Sequence, residues 1–437
     1  MNDPQPADFD WDRLRRKPDV EADNLFAVDA SDRLILDEAA NALATAGAGE
    51  VVVLEDHYGA LALGAAALHG ARGIRVHQDA LSGERALARN AADAGLSDAY
   101  RSLELGEELL TGARIVLLQL PRGLSELDEL AGAISRLAAP DVTVFGGGRI
   151  KHMTMAMNEV LGRHFRMLRV SPARQKSRVL IAAEPIAGVP ITSVPIASVP
   201  LGGVPIASVP FAPVPITSVP LGSVPIASVP LGSVPITSVP FAGGPDWPRS
   251  QHHADLGLTV CAHGAAFAGT TIDIGTRYLL EFLDRMKPDA TSASDLAIDL
   301  GCGTGVLAAA LALRRPQLRV LATDQSAAAV ASARATMHAN SVADRVTVVR
   351  DDALGSQSDA AAELIMLNPP FHIGSSIHTG IALKLFEDAA RVLRPGGELW
   401  TVWNSHLGYR PALTRIVGQT REVGRNTKFT VTVSTRH

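Results

Sequence analysis

The sequence predicts an α/β protein built from two domains in tandem, with a low-complexity linker between them. Three observations predict it. Apolar strands alternate with Ala-rich helical segments in both halves of the chain. A Val-Pro dipeptide recurs at every fifth residue from Val189-Pro190 to Val239-Pro240. In the second half, an apolar strand runs directly into a glycine-rich turn, and an Ala-rich helix follows.

The expected domains are residues 1–183, a linker at 184–245, and residues 246–437. No charged residue lies between Glu184 and Asp246. A proline every five residues removes a backbone donor each time and clashes with the preceding helical turn, so an α-helix, including a membrane helix, is excluded there. Each valine before a proline is pushed to the extended region. An extended or disordered linker is expected. On the N-terminal side, residues 50–54, 115–118 and 142–145 read as buried parallel strands. On the C-terminal side, 296–300, 319–323, 346–349, 364–367 and 397–403 read the same way.

At 437 residues and 47% hydrophobic, the chain can bury more than one core. A net charge of −5 does not describe a polyanion binder as a whole. The two cysteines, Cys261 and Cys302, are far apart and lack metal-spaced histidines, so neither a disulfide framework nor a metal site is expected. The N-terminus lacks the apolar core of a secretory signal, and outside the proline repeat no apolar run is long enough for a membrane span. A cytoplasmic monomer with no membrane or metal partner is expected.

The glycine turn is Asp299-Leu-Gly301-Cys302-Gly303-Thr304-Gly305. Glycines permit positive φ and close approach of a ligand to the backbone. A dinucleotide fingerprint would be spaced G-x-G-x-x-G, with a diphosphate on the helix N-terminus. Here the spacing is G-x-G-x-G, and Asp299 precedes it. An acid at that point disfavours a diphosphate and favours a cationic amino-acid tail, as in S-adenosylmethionine. All five turn residues and Asp299 are candidate cofactor positions. Asp324, at the end of the next strand, is placed to accept from ribose hydroxyls, although a helix N-cap there is the alternative. Asp352, after the third strand, is the candidate acceptor for the adenine amino group, ahead of Asp351.

After the fourth strand comes Asn368-Pro369-Pro370-Phe371-His372. An Asn-Pro-Pro-aromatic loop at this point is a signature of methyl transfer to planar amino nitrogens. The lone pair of such a nitrogen is delocalised, so it is a poor nucleophile. Two acceptors, the Asn368 side-chain oxygen and the Pro369 carbonyl, can hold its hydrogens and favour attack. The prolines stiffen the loop. Phe371 offers a face for a flipped base. Asn368 also borders the cofactor.

These motifs resemble the ribosomal RNA guanine-N2 methyltransferases of the RsmC/RlmG family. The resemblance rests on His263-Gly-Ala-Ala-Phe267, Ile272-Asp-Ile-Gly275-Thr-Arg277, the glycine turn, the Asn-Pro-Pro-Phe-His loop, Trp403–Tyr409 and Asn426-Thr-Lys428-Phe429. In the N-terminal half it rests on Asp29–Arg33, Val51–Gly59, Gly146–His152 and Arg174–Leu180. It implies two Rossmann-like class I methyltransferase domains, the N-terminal copy degenerate, and adds Phe267 to the cofactor set. The endings His406-Leu-Gly-Tyr409 and Asn426–Phe429 look more like the large-subunit branch. In the N-terminal half, Leu54-Glu-Asp-His-Tyr-Gly59 and Leu118-Gln-Leu-Pro-Arg122 replace the glycine turn and the Asn-Pro-Pro-Phe loop. That half is expected to bind no cofactor and to serve RNA recognition or support.

Charge fits an RNA partner. Residues 149–178 carry net +7, with Glu159 the one acid, and residues 406–437 carry net +5. Arg149, Lys151, Arg174, Lys176, Arg178 and Lys428 are the candidate RNA contacts. The competing readings are methylation of a protein glutamine or of adenine N6, and a non-catalytic RNA-binding protein with a vestigial cofactor site.

Overall fold

A computed structural model describes residues 9–22, 24–186, 247–287, 296–370 and 379–437. The whole of the proline repeat, together with Phe371 and His372, lies outside the described residues.

Two seven-stranded sheets carry the fold. The first comprises β1 (Val51–Leu54), β2 (Ile74–His77), β3 (Tyr100–Ser102), β4 (Ile115–Gln119), β5 (Thr143–Arg149), β6 (Phe165–Val170) and β7 (Ser177–Pro185). Its order is β3-β2-β1-β4-β5-β7-β6. A two-stranded hairpin, β8 (Arg249–His253) and β9 (Leu258–Ala262), precedes the second sheet. That sheet comprises β10 (Leu296–Leu300), β11 (Arg319–Asp324), β12 (Val346–Arg350), β13 (Ala362–Leu367), β14 (Leu393–Asn404), β15 (Gly418–Arg425) and β16 (Phe429–Arg436), in the order β12-β11-β10-β13-β14-β16-β15. The two orders are the same topology written twice.

Helices cover the faces of the first sheet: α1 (Ala30–Leu43), α2 (Ala60–His69), α3 (Leu81–Ala94), α4 (Glu107–Leu110), α5 (Leu124–Leu137) and α6 (Met155–His164). The second has α7 (Ile274–Leu280), α8 (Val306–Arg314), α9 (Ala327–Ala339), α10 (Thr379–Val392) and α11 (Arg410–Ile416). β1 reads VVVL with all four residues buried, as expected for a parallel strand covered on both faces. Each sheet packs an apolar cluster on either side.

The expected strands are present and pair in parallel, within sheets that are mixed as a whole. The last two strands of each half form an antiparallel hairpin that pairs onto the fifth strand. The short strands β2 and β3 were also not anticipated. They are supported by parallel pairing rather than by a long apolar run.

Register fixes which residues of the two halves are equivalent. Leu54 pairs with His77 and Leu118, and Leu300 pairs with Thr323 and Leu367. Gly301 therefore matches Glu55, Gly303 matches His57 and Gly305 matches Gly59. Asp324 matches Gln78, Ser326 matches Ala80, and Asn368 matches Gln119. The strand order reverses between β1 and β4, and between β10 and β13, which is where doubly wound sheets bind ligands, outside the carboxyl ends of the strands.

Candidate active site

The turn after β10 takes left-handed backbone at Gly301 (φ 70°), Gly303 (φ 53°) and Gly305 (φ 77°). A Cβ at Gly301 or Gly303 would meet nothing within 4 Å, so both backbones border open space. Gly305 serves packing instead: a Cβ there would lie 2.6 Å from the Met337 methyl group and 3.0 Å from Ala333. The space is a cavity of about 470 Å³, lined by Asp299, Gly301, Cys302, Gly303, Thr304, Asp324, Asp351, Asp352, Asn368, Pro369, Pro370 and Phe267. Its size suits a small-molecule cofactor. The sequence-derived candidates thus converge on one cavity, except Gly305 and Phe371, the latter outside the described residues.

Asp299 is buried on β10. Its Oδ2 accepts from the Ala308 amide at 2.9 Å, while Oδ1 is buried without a partner. Burial raises its carboxyl to about 7. A buried carboxylate oxygen with no donor, on the wall of a cavity, suits a cationic group. Asp324 accepts from the Gly303 amide (2.9 Å) and from the Ser326 amide (3.0 Å), and burial raises its pKa. The helix cap is Ser326, whose hydroxyl accepts from Ala329. Asp351 is buried and turned inward, accepting from Ser356 and from the Asp352 amide. Asp352 is more open, and pairs with Lys384 and with Arg85. Burial also raises the Cys302 thiol.

Asn368 leaves β13 at the cavity edge. Its Nδ2 donates to Asp273 Oδ2 at 3.0 Å and to Thr276 Oγ1 at 3.1 Å. A carboxylate only accepts, so this contact sets which way the amide faces. The other atom, Oδ1, is buried with no partner. Asp273 is itself fixed as the N-cap of α7, accepting from Gly275 and Thr276. Sequence reasoning missed Asp273 and Thr276 as the clamp on Asn368. An Asp at the start of a helical segment was the available signal.

The N-terminal half also reaches the cavity, through Pro18, Asp19, Val20, Asp79, Ala80 and Ser82. Glu129 of α5 accepts from the Gly264 amide at 2.6 Å and pairs with His263 Nδ1 at 2.5 Å, anchoring the loop that leads to Phe267. None of these residues was legible as part of the site.

Five of the six basic candidates gather at one end of the first sheet. Arg149 ends β5, opposite Ser177, and the Ile150 amide donates to Lys176 O. Lys151, Arg174, Lys176 and Arg178 are exposed. Arg149 pairs with Asp29, and Arg174 with Asp37. Lys428 sits on the β15–β16 turn, where Ser405 donates to its carbonyl. This is the position equivalent to Lys176.

The domain models match in the same halves. A "RLMG N-terminal domain" model matches residues 6–186, and a "Methyltransferase small domain" model matches 257–433. Ribosomal RNA large subunit methyltransferase G of Streptomyces avermitilis is 31% identical, covering 99% of this chain and 98% of its own length. The chain belongs to the ribosomal RNA large subunit methyltransferase G family. The methyltransferase G of Pseudomonas aeruginosa PAO1 is 30% identical, with 96% of each chain covered. Among solved structures, the T. thermophilus 16S rRNA N2 G1207 methyltransferase (RsmC), in complex with AdoMet and guanosine, is 19% identical. It has a TM-score of 0.64 and covers 94% of this chain and 92% of its own, so this member of the methyltransferase G family shares that fold. Among the described residues, no helix is long and apolar enough to cross a membrane, and no group of three metal-ligating side chains occurs.

Proposed function

We propose that the protein methylates the exocyclic N2 amine of a guanine in large-subunit ribosomal RNA, with S-adenosylmethionine as methyl donor. The observation that carries this reading is the Asn368 amide: its nitrogen is held by Asp273 and Thr276, and its buried oxygen is left without a partner at the cavity edge. That oxygen is preorganised to accept from an amino group.

The residues around the cavity fit the cofactor. Asp299 Oδ1 suits the ammonium of its amino-acid tail, Asp324 the ribose hydroxyls and Asp352 the adenine amine. Gly301 and Gly303 leave room for close approach, beside Cys302 and Thr304. Phe267, exposed on the rim, is an apolar face for the ligand edge. The bound cofactor supplies an electrophilic methyl group.

The chain's own contribution is orientation. Asn368 Oδ1 accepts from one hydrogen of the target amine, and the Pro369 carbonyl is the second acceptor. With both N–H bonds directed into acceptors, the nitrogen lone pair turns toward the methyl group as the amine becomes tetrahedral. The nitrogen gains the methyl group and loses one proton to water. Pro369 and Pro370 limit the loop's freedom, and Phe371 is the stacking face for the base. Arg149, Lys151, Arg174, Lys176 and Arg178 would contact RNA phosphates, and Lys428 a further one. The relatives' names supply the large-subunit RNA, and the Asn-Pro-Pro-Phe loop supplies the amine class. Such a reaction belongs in the cytoplasm, with ribosomal RNA as the partner.

The test is incubation with labelled S-adenosylmethionine and purified large-subunit RNA, small-subunit RNA, DNA or protein, followed by mass spectrometry of the product nucleosides. N2-methylguanosine in the large-subunit RNA is expected. N6-methyladenosine, or label in protein, would overturn the substrate.

A further inference from the structure

The two halves meet through equivalent segments. The turn after β2 and the turn after β11 pair as a short antiparallel bridge, Ala80 opposite Ser326. The Leu81 amide donates to Gln325 O at 3.0 Å, and the Ala327 amide donates to Asp79 O at 2.9 Å. Leu81 is equivalent to Ala327 and Asp79 to Gln325, so the backbone contacts are a pseudo-two-fold pair.

The side chains break that symmetry in one direction. Asp79 Oδ1 accepts from the Ser326 hydroxyl at 2.9 Å and from the Ala328 amide at 2.8 Å. The first turn of α9 is therefore capped by a carboxylate from the other half of the molecule. The reverse contact is absent: α3, whose N-cap residue is Ala80, has no side-chain cap. Ser326 is tied in turn to Asp324, because the Ser326 amide donates to Asp324 Oδ1. Asp324 Oδ2 holds the Gly303 amide of the glycine turn. A continuous chain of hydrogen bonds thus runs from Asp79 through Ser326 and Asp324 to Gly303. Arg350 braces it, donating to Gln78 O at 2.9 Å and Asp79 O at 3.1 Å, and pairing with Glu84 at 2.8 Å.

We propose that Asp79, in the non-catalytic half, is a positioning residue for cofactor binding: it fixes Ser326 and through it the Asp324 carboxylate. The proposal rests on reading Asp324 as the ribose acceptor. The N-terminal half thereby sets cofactor affinity as well as offering a surface to RNA.

The experiment is calorimetric titration of the full chain with S-adenosylmethionine, for Asp79→Ala, Asp79→Asn, Ser326→Ala, Asp79→Ala/Ser326→Ala and Asp324→Ala, with steady-state kinetics beside it. Asp79→Ala should weaken binding about tenfold and raise KM for the cofactor to match, with kcat at saturation within about twofold. Asp79→Asn keeps an acceptor oxygen and should recover most of the loss. Ser326→Ala should resemble Asp79→Ala, and the double variant should be no worse than either, as for residues acting through one contact. Should Asp79→Ala fail to fold, Asp79→Asn and Ser326→Ala carry the comparison: near-normal binding in the first with weakened binding in the second supports the proposal. Normal binding by Asp79→Ala or by Ser326→Ala, or additive losses in the double variant, would overturn it. Asp324→Ala separates the two readings. If it binds normally, the ribose assignment fails and the relay fails with it. If it binds weakly while Asp79→Ala binds normally, the relay alone fails.

Discussion

The turns after β1 and β10 have the same backbone and opposite contents. Both take left-handed conformations at the first, third and fifth positions: Glu55, His57 and Gly59 in one, Gly301, Gly303 and Gly305 in the other. Both last glycines start a helix, α2 or α8. The difference lies in where a carboxylate sits. In the second half, Asp299 holds the Ala308 amide from the strand and leaves Oδ1 free. In the first half the strand position is Val53, and the equivalent helix amide, on Ala62, is held by Asp56 from within the turn itself, at 2.8 Å. Asp56 also takes the Leu61 amide, at 2.7 Å. Glu55, buried, accepts from the Asp79 amide. The first half has filled its turn with its own carboxylates, while in the second the same turn borders the open cavity. The amides after strand four show the same contrast. Gln119 spends its nitrogen on Ser31 and Asp32, and its oxygen faces the Ser31 hydroxyl. Asn368 spends only its nitrogen.

The lesson is that a fold can be copied faithfully while its site closes, because turn backbone and site chemistry are set by different atoms. Left-handed backbone at Glu55 and His57 is unfavourable for residues with a Cβ. It persists because β1, β2 and α2 hold the turn from both sides.

The sharpest way to break the comparison is to move a side chain across it. Gly303→His places the first half's residue in the second half's turn. It should abolish cofactor binding, because the side chain would project into the cavity. Wild-type protein should bind one cofactor per chain. Calorimetry detecting normal binding in the variant, or two equivalent sites in the wild type, would show that the turn contents do not decide occupancy.

Next in size is the pair of amides. Asn368→Ala should lower kcat by about 10²–10³, as for removal of a preorganised hydrogen-bonding group, with cofactor affinity and thermal stability little changed. Gln119→Ala should leave kcat unchanged. Equal effects on turnover would remove the functional distinction between the two positions.

The Asp299 carboxyl offers a smaller, graded effect. Burial raises its pKa to about 7 in the cofactor-free protein, and a bound cation favours the ionised form. Cofactor affinity should therefore be full above pH 7 and weaken as pH falls, by at most about tenfold per pH unit. Asp299→Asn should flatten that profile. Affinity that is constant between pH 8 and 6 in the wild type would detach Asp299 from the cofactor's charge. At the equivalent strand position the first half carries Val53, which does not titrate.

Smallest should be the effect of deleting residues 189–240. If the halves are paired through their own contacts at Ala80, Ser326 and Arg350, kcat/KM should stay within about threefold, since loop entropy changes slowly with length. Loss of most turnover or of folding, measured by assay and thermal melt, would mean that the repeat helps to hold the halves together.

Much of this was legible in the sequence because the signals are contiguous. The Gly301–Gly305 turn, Asp324 at the next strand end and Asn368-Pro-Pro each lie in a short stretch whose residue types restrict the local backbone. The antiparallel hairpins were harder to read. β15, GQTREVGR, is a polar strand at the sheet edge and carries no apolar run. The shape that the first turn shares with the second was invisible, since Glu and His do not announce a left-handed backbone.

Sequence alone was enough for the long apolar strands, the open glycine turn, the pairing of an amide with two prolines, and the basic stretches. Local sterics and side-chain chemistry act over a few residues, and a single chain displays them directly. The tertiary structure decided which way the Asn368 amide faces, because Asp273 and Thr276 come from a distant helix. It decided that Asp351 turns inward while Asp352 stays open. It also decided that Asp79, from the half with the closed turn, caps the helix beside Asp324. Those contacts join residues far apart in the chain, and only packing of the two sheets and their helices brings the partners within hydrogen-bonding range.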